Sequence, residues 1–333
     1  MSNTSSMAKS SLKNRILQLR ISKCVFLILC LIAVIKFFSC FGKYNYPHLP
    51  AGVIETQLYK KTTPKLTLKK GNPDCKYDDI LRSKESIDSG EIPKRNDGFD
   101  ATGVVNGSYA PAHCNPLFSV AILVTYRNRQ YQLEMFLPYM HNFLRRQNIH
   151  YKIYLIEQQD EKPWNKGMLY NIGAKHAIAD KFPCLILHDV DLLPLDRSNL
   201  YACAAAPRHM SASIDKFRYV LPYDSLLGGV MAISADHYVA VNGLSNKFEG
   251  WGGEDDDFAS RIEAHQLSIV RFPRNMSRYT MLVHHQEAKN DERMRIMSEN
   301  RRRRSSSDGL NSVQYRNARL VDHRLFTLIG VKL

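Results

Sequence analysis

Two carboxylates separated by one residue, Asp189 and Asp191, follow the apolar run at 184–188. Oxygen ligands in this arrangement suit a hard divalent cation that bridges a diphosphate. Such a cation stabilises a nucleoside diphosphate as it leaves a sugar, without a covalent intermediate. An ordinary acidic turn is the alternative, because Asp-x-Asp is common by chance. The position directly after a predicted strand favours the cation site.

Two arginines, Arg127 and Arg129, follow another apolar run, at 118–124. A planar guanidinium binds phosphate oxygens in pairs, so this position suits a phosphate group. The solvent-exposed start of a helix explains the two arginines equally well.

A third group is the sequence Gly-Trp-Gly-Gly-Glu-Asp-Asp-Asp at 250–257. Its glycines allow close approach to a ligand, and its tryptophan offers an apolar face to a sugar ring. Four consecutive carboxylates are costly to bury together, so we expect them to line a polar cleft or bind cations. A flexible acidic surface loop is disfavoured, because Phe258 and Ile262 continue into a helical pattern. One of these carboxylates is a candidate general base for a sugar hydroxyl.

The surrounding pattern predicts an α/β fold that brings these groups together. Apolar runs at 118–124, 151–156 and 184–188 predict buried strands, and helical spacing at 133–144 and 165–179 predicts the helices between them. This βαβαβ order is typical of the nucleotide-binding half of a doubly wound sheet, in which ligands bind beyond the carboxyl ends of the strands. The first strand is not followed by G-x-G-x-x-G, so a dinucleotide cofactor is not indicated.

The segment 24–41 is apolar except for Lys36 and Ser39, and it predicts a single transmembrane helix. A cleaved signal peptide is the alternative, but no small-x-small cleavage site follows Ile35. Five cations and no acidic residue precede the helix, so the positive-inside rule places the tail at 1–23 in the cytosol. The rest of the chain is then lumenal.

Beyond the predicted anchor, residues 42–74 are polar and lack a sustained period, which predicts an extended stem with little structure. We expect the catalytic domain at 75–333. The net charge of +14 is scattered, part of it in the arginine run at 301–304, and forms no nucleic-acid-binding pattern.

Four cysteines lie in the predicted lumenal part, where an oxidising compartment favours disulfides: Cys75, Cys114, Cys184 and Cys203. Their spacing leaves three connectivities open, and four buried free thiols are the alternative. Asn106 and Asn275 match the pattern of glycosylation acceptors, which is a weak signal.

From about residue 75 to the end, the chain resembles the animal β-1,4-galactosyltransferase family, which has the GT-A fold. The matching motifs keep the family's order and spacing; they lie at 126–129 (Tyr-Arg-Asn-Arg), 164–167 (Trp-Asn-Lys-Gly), 189–191 (Asp-Val-Asp), 207–209 (Pro-Arg-His), 226–230 (Leu-Leu-Gly-Gly-Val), 250–257, 281–284 and 308–312 (Asp-Gly-Leu-Asn-Ser). The resemblance implies a type II Golgi membrane enzyme. It also implies the disulfides Cys75–Cys114 and Cys184–Cys203.

The resemblance assigns roles position by position. It implies Mn²⁺ ligation by Asp191, Met281 and His284, with His285 as an adjacent competitor, and it makes Asp255 the catalytic base. Positions that match the UDP-sugar donor site are Thr125, Tyr126, Arg127, Arg129, Trp164, Lys166, Asp189, Val190, Lys216, Leu226 and Trp251. Positions that match the acceptor site are Tyr223, Gly229, Trp251, Gly252, Gly253, Glu254, Asp255 and Asp256.

Leu226 departs from the galactose-transferring members, which have a tyrosine there. Many invertebrate members that transfer N-acetylgalactosamine (GalNAc) have a smaller aliphatic residue, which leaves room for the acetamido group at C2. Alternatively, the leucine only packs there and both donors are used. The stretch 287–307 matches the family's long flexible loop, which is expected to order when donor and metal bind, and Arg293 and Met294 are candidate acceptor contacts.

These matches predict an inverting enzyme that transfers GalNAc from UDP-GalNAc to the C4 hydroxyl of a terminal β-linked N-acetylglucosamine on a glycoprotein or glycolipid. The alternatives are the same reaction with UDP-galactose and, more remotely, an inactive sugar-binding protein.

Overall fold

The computed structural model describes residues 3–40, 46–88, 90, 92, 99–285, 287–303 and 307–333. The chain forms two compact units, Met1–Asn45 and Tyr46–Leu333. The first contains helix α1 (Asn3–Cys40), in which Gln18–Phe38 is long and apolar enough to cross a membrane, with a mean hydropathy of 2.5. Most of the predicted span 24–41 lies in this window, and residue 41 lies outside the described residues.

The second unit combines strands and helices in alternation. Its strands are β1 (Ser108–Tyr109), β2 (Ser119–Tyr126), β3 (His150–Gln158), β4 (Cys184–Asp189), β5 (Leu192–Pro194), β6 (Arg208–His209), β7 (Ser213–Ile214), β8 (Val230–Ser234), β9 (Arg278–Met281), β10 (Arg316–Asp322) and β11 (Thr327–Lys332). Its helices are α2 (Asp78–Leu81), α3 (Gln130–Arg145), α4 (Lys166–Ala179), α5 (Ala235–Ala240), α6 (Glu254–Ala264) and α7 (Arg293–Arg303).

The main sheet has the strand order β10-β11-β3-β2-β4-β8-β6, and β1 pairs with β3. Strands β11, β3, β2 and β4 run parallel, so their carboxyl ends meet along one edge, where Thr125 lies opposite Asp189. The predicted βαβαβ order and the α/β fold class are therefore confirmed. A smaller sheet, β5-β9-β7, pairs Leu192 with Met281 beside that edge.

Strand β2 is buried along its whole length because helices cover both faces of the sheet. Its alternate residues enter two different apolar clusters: Ile122 packs with Phe136 of α3, and Leu123 packs with Leu169 of α4. This arrangement explains why the strand is a continuous apolar run. The implied disulfides Cys75–Cys114 and Cys184–Cys203 are both present.

The stem predicted over 42–74 was expected to be extended with little structure, but residues 46–70, which we call the strap, pack against the rest of the second unit. In the strap Tyr46, Ile54 and Leu58 are buried, and Tyr59 N donates a hydrogen bond to Cys203 O at 2.9 Å. The segment is polar and lacks a sustained period, so the sequence pattern did not indicate the burial of these residues. Residues 42–45 lie outside the described residues.

The stretch 287–307 contains helix α7, whose Ile296 is buried. Asn300 of α7 donates to Asp257 Oδ1 at 2.9 Å, which attaches this stretch to α6. Residues 304–306, including the last arginine of the run at 301–304, lie outside the described residues. Ordering of this stretch on donor binding stays a prediction.

Candidate functional site

A cleft of about 230 Å³ opens at the carboxyl ends of β2 and β4. Most of the predicted site residues line it: Thr125, Arg127, Arg129, Trp164, Lys166, Asp189, Val190, Asp191, Lys216, Leu226, Gly229, Trp251, Glu254, Asp255, Met281 and His284. The structure adds lining residues that the sequence analysis did not single out: Ile214, Phe217, Gly228 and Glu287.

Five residues of the predicted donor and acceptor sites do not line the cleft in this conformation, and neither do the candidate acceptor contacts Arg293 and Met294. Tyr126 is buried, and its hydroxyl donates to Gln130 Oε1 at 3.3 Å, so it faces α3 rather than a ligand. The Tyr223 hydroxyl donates to Asp256 Oδ1 at 2.9 Å, and the tyrosine is 45% exposed. Gly252 and Gly253 have φ values of 104° and 97°, a region that favours glycine, and they form the turn into α6.

Asp191 and His284 meet at one end of the cleft, next to Met281. Leu282 N donates to Asp191 O at 2.7 Å, which extends the pairing of β5 with β9 and holds the two chain segments together. The His284 Nε2 atom is 3.1 Å from Asp191 Oδ2, whereas His285 is exposed. The geometry therefore brings His284, and not its neighbour, to the carboxylate.

One oxygen of Asp191 is an acceptor without a partner. Asp191 Oδ1 is buried and receives no hydrogen bond. Burial and the neighbouring Asp189 raise the pKa of Asp191 to about 6. An orphaned carboxylate oxygen beside an imidazole and a thioether fits a divalent cation, which would supply the missing counter-charge.

The residues described by the structure contain no group of three or more His, Cys, Asp or Glu in a metal-binding arrangement. Among the acidic and histidine side chains that line the cleft, Asp191 and His284 form a close pair, with His284 Nε2 3.1 Å from Asp191 Oδ2. Met281 lines the same cleft, and its thioether, an unusual ligand for a hard cation, is a candidate third ligand that would leave positions for the oxygens of a substrate.

Lys166 connects the two acidic parts of the cleft. Asn165 precedes it as the cap of α4, accepting a hydrogen bond from Met168 N at 2.9 Å. The Lys166 Nζ atom is 3.0 Å from Asp189 Oδ1 and 3.4 Å from Asp255 Oδ2. Burial alone would lower the pKa of Lys166, but the attraction of these carboxylates prevails and raises it, so the side chain stays a cation.

Asp255 lies in the first turn of α6, opposite Gly228. A Cβ atom on Gly228 would lie 2.6 Å from Asp255 Oδ2, so any larger residue would collide with the carboxylate. His209 Nε2 lies 3.1 Å from Gly228 O, and burial keeps the pKa of His209 near 3, so this ring is neutral and supports the glycine by hydrogen bonding. Burial raises the pKa of Asp255, and Lys166 opposes that effect. This combination suits a proton acceptor.

Glu254 precedes Asp255 and is 4% exposed. Its Oε2 atom accepts a hydrogen bond from Gly252 N at 3.1 Å, which stabilises the turn into α6. Burial and the adjacent Asp255 raise the pKa of Glu254 to about 7.

Of the four carboxylates at 254–257, which were expected to line a polar cleft or bind cations, two do not line this cleft: Asp256, which bonds to Tyr223, and Asp257. Asp257 has a different environment. It is buried and pairs with Arg261 Nε at 2.8 Å. Arg261 in turn donates to Asp308 O at 2.6 Å, and Asp308 accepts from Ser245. The i, i+4 spacing of Asp257 and Arg261 was the sequence signal for this structural role.

Asp215 is a residue that the sequence analysis missed. Its carboxylate accepts hydrogen bonds from Met281 N at 3.0 Å and from the Thr280 hydroxyl. It thereby attaches β9 to the short helix that carries Lys216. Its position next to Lys216 was the only indication in the sequence.

Arg127, Arg129 and Trp251 connect the cleft to the segment after β9. Arg127 Nη2 is 3.0 Å from Glu287 Oε1, and Arg129 donates to His285 O at 2.5 Å. Trp251 is 46% exposed, and its backbone N–H donates to Ala288 O at 2.7 Å. The predicted glycosylation residues Asn106 and Asn275 are both exposed.

Two sequence profiles match successive parts of the chain. One, described as the N-terminal region of glycosyl transferase group 7, matches residues 80–204, and one described as the N-terminal domain of galactosyltransferase matches residues 208–285. Mouse β-1,4-galactosyltransferase 2 is 36% identical over 234 residues, which are 69% of this chain and 63% of the relative. Rat β-1,4-galactosyltransferase 3 is 40% identical over 230 residues, 68% of this chain and 57% of the relative. The chain thus spans less than two thirds of the length of these curated relatives.

Solved structures agree with the sequence comparisons. The catalytic domain of Drosophila β-1,4-galactosyltransferase 7 in complex with xylobiose matches 65% of this chain and 94% of that chain, with a TM-score of 0.56 and 28% identity. A mutant of the same fly enzyme in complex with manganese, UDP-Gal and xylobiose matches with a TM-score of 0.55. The shared GT-A fold, the two consecutive profiles and the identity to curated relatives lead to one conclusion: this chain belongs to the β-1,4-galactosyltransferase family.

Proposed function

We propose that this protein is an inverting glycosyltransferase that moves GalNAc from UDP-GalNAc to the C4 hydroxyl of a terminal β-linked N-acetylglucosamine on a glycoprotein or glycolipid. The observation that carries the proposal is the arrangement of Asp255 and Asp191 in one cleft, with Lys166 beside the first and an orphaned oxygen on the second. The family and the manganese and UDP-Gal in the fly enzyme's structure support it.

At the donor end, Asp191, Met281 and His284 would hold Mn²⁺. When bound, the ion stabilises the negative charge that develops on the leaving UDP. Arg127 and Arg129 lie beside the same part of the cleft and supply guanidinium groups for phosphate oxygens. Trp164 lies 5.4 Å from the Arg127 guanidinium, with the cation over the ring, and offers an aromatic face to the uracil.

At the acceptor end, Asp255 takes the proton of the C4 hydroxyl. The acceptor oxygen forms a bond to the anomeric carbon as the bond from that carbon to the phosphate oxygen breaks, and the electron pair leaves with UDP. The attack comes from the face opposite the leaving group, so an α-linked donor gives a β-linked product. Because Gly228 has no side chain, the Asp255 carboxylate can lie against its backbone, at a position that a Cβ atom would block.

The choice of donor rests on Leu226. This side chain lines the cleft, packs against buried Ala212 and Leu221, and is smaller than the tyrosine of galactose-transferring members. A smaller side chain leaves space beside C2 of the donor sugar for an acetamido group. The second candidate is the same transfer from UDP-galactose, which the names of the curated relatives favour.

We further propose a type II topology in the Golgi membrane, with the cytosolic tail at 1–23 and the catalytic unit in the lumen. The apolar helix at Gln18–Phe38 supports an anchor, and the two disulfides support an oxidising compartment. Glycans attached at Asn106 and Asn275 would agree with this topology. A nucleic-acid partner is not part of the proposal.

The test compares kcat/KM for UDP-GalNAc and UDP-galactose in the full chain and in Leu226→Tyr. We expect the native enzyme to prefer UDP-GalNAc, and the variant to shift the ratio toward UDP-galactose by about 10- to 100-fold because the tyrosine fills the space beside C2. Leu68→Tyr, at an exposed position of the strap, is the control for adding a tyrosine. A native preference for UDP-galactose would establish the second candidate instead.

A further inference from the structure

The strap begins with a side chain that lies behind the donor part of the cleft. Tyr46 is 2% exposed and forms a small apolar cluster with Ala212 and Leu221. Leu226, which lines the cleft, packs against this cluster. The Tyr46 hydroxyl donates to Phe272 O at 3.0 Å, which fixes the ring in place. Tyr46, the first residue of the strap, therefore belongs to the cluster against which Leu226 packs, and Leu226 is the residue proposed to select the donor.

A second connection runs through the backbone. Leu49 N of the strap donates to Arg271 O at 2.9 Å. The guanidinium of Arg271 donates to Asp224 O at 2.6 Å and to Leu226 O at 3.0 Å. The strap is thus hydrogen-bonded to Arg271, and Arg271 is hydrogen-bonded to the backbone of Leu226.

The remainder of the strap packs elsewhere. Ile54 and Leu58 are buried in the large cluster that covers the α3 face of the sheet, and Tyr59 bonds to Cys203. Stability of the fold therefore depends on the whole strap, whereas contact with the donor site is confined to its start. This separation makes the two roles distinguishable by substitution.

We propose that Tyr46 is a positioning residue for donor selection, which fixes the Leu226 side chain and so sets the space beside C2 of the donor sugar. The inference rests on the proposed function, in which Leu226 faces that sugar. Protein interiors are packed densely enough that a side chain cannot move without space behind it. Removing the Tyr46 ring leaves a cavity, and part of that cavity persists because the surrounding structure relaxes only partly. The Leu226 side chain then has space into which it can move.

The experiment measures, by calorimetry on the full chain in detergent with Mn²⁺, the dissociation constants of UDP-GalNAc, UDP-galactose and UDP. We expect Tyr46→Ala to change the ratio of the two UDP-sugar constants by about 10-fold, the scale of a one-methylene change in a pocket. UDP itself should bind as before, because the cluster lies on the sugar side. Tyr46→Phe, which keeps the ring, should retain the native ratio.

Ile54→Ala is the matched control, since Ile54 is an equally buried strap residue in the other cluster. It should lower the melting temperature without changing the ratio. In a Leu226→Ala background, Tyr46→Ala should no longer change the ratio, because the residue through which it acts is gone. Should Tyr46→Ala fail to fold, Tyr46→Leu serves the same comparison.

The inference is overturned if Tyr46→Ala or Tyr46→Leu folds and its ratio of UDP-sugar dissociation constants stays within about twofold of the native value. Such a change is far below the discrimination of a single methylene. The proposed function would survive this result. The same holds if Ile54→Ala changes the ratio as much. A native chain that binds neither UDP-sugar overturns the proposed function together with the inference.

Discussion

The cleft contains two acidic regions that differ in how their buried negative charge is compensated. At the end of the cleft that contains Asp191, Met281 and His284, which we call the metal edge, one Asp191 oxygen has no hydrogen-bond partner and the other lies 3.1 Å from the His284 imidazole. At the start of α6, Asp255 already has the Lys166 ammonium at 3.4 Å and the positive end of a helix beneath it. The first region is incomplete without a ligand, whereas the second carries its counter-charge in the fold. We therefore expect the metal edge to depend on added cation and the α6 region to depend on its own residues.

The largest effect should come from removing the metal edge. Asp191→Asn, or chelation of the native chain, should lower transfer by at least about 10³-fold, because Lewis-acid stabilisation of a leaving group is worth several kcal/mol. Asp191→Asn should also lose Mn²⁺ binding, which electron paramagnetic resonance can measure. Asp180→Asn, at the far end of α4, is the control and should bind the ion normally. Full activity in excess chelator would contradict the expectation that the metal edge depends on added cation.

Asp255→Asn should lower kcat by about 10²- to 10⁴-fold, the usual contribution of a general base. Mn²⁺ and UDP should still bind, because the metal edge is intact. Asp256→Asn is the neighbouring control and should lose less activity, since that carboxylate bonds to Tyr223 outside the cleft. If Asp255→Asn is normally active, Asp255 is not the base, and Glu254 becomes the candidate.

Lys166→Met removes the counter-charge that the fold supplies to Asp255. Because a nearby cation favours the ionised carboxylate, its loss should raise the pKa of Asp255 by on the order of one unit. The base is active when ionised, so the acidic limb of the kcat/KM profile should move to higher pH, and the variant should lose about tenfold more activity at pH 6 than at pH 8. Lys166→Arg keeps the charge and should retain the native profile. An unshifted profile for Lys166→Met would show that the ammonium does not act on the base.

The smallest effect should be a gain in stability from Glu254→Gln. The pKa of Glu254 is raised from 4.5 to about 7, so the folded state binds more protons than the unfolded state and native stability falls as pH rises through that window. Glutamine does not titrate and still accepts the Gly252 hydrogen bond. The variant should therefore gain on the order of 1 kcal/mol over the native chain at pH 8 and little at pH 4.5, by urea unfolding without metal.

Glu263→Gln, at an exposed position of the same helix, controls for the change of residue type. An equal gain at both pH values, or an equal gain in the control, would remove the pH-linked explanation.

The sequence predicted the sheet half of the fold well, because buried parallel strands are continuous apolar runs and α4 begins with a recognisable cap at Asn165. The site residues near strand ends followed from that topology and from family motifs. The burial of Tyr46 and the hydrogen bond from Leu49 to Arg271 were not predictable, because their partners lie far away in the chain, between Ala212 and Phe272. Asp257 was misread for a related reason: identical neighbouring carboxylates point to different sides of a helix, and only the packing decides which is buried.

The network from Asp257 through Arg261 to Asp308 has a consequence for synthesis. The helix that carries Asp255 is fixed by a residue about fifty positions later, and β11 at Thr327–Lys332 inserts beside β3 in the sheet. A ribosome adds only about 5 to 20 residues per second, so the donor half emerges seconds before these partners. A nascent chain that has reached only the middle of α7 therefore contains Arg127 and Arg129 but not Asp308, which anchors α6 through Arg261. We therefore expect the proposed activity to require synthesis through β11.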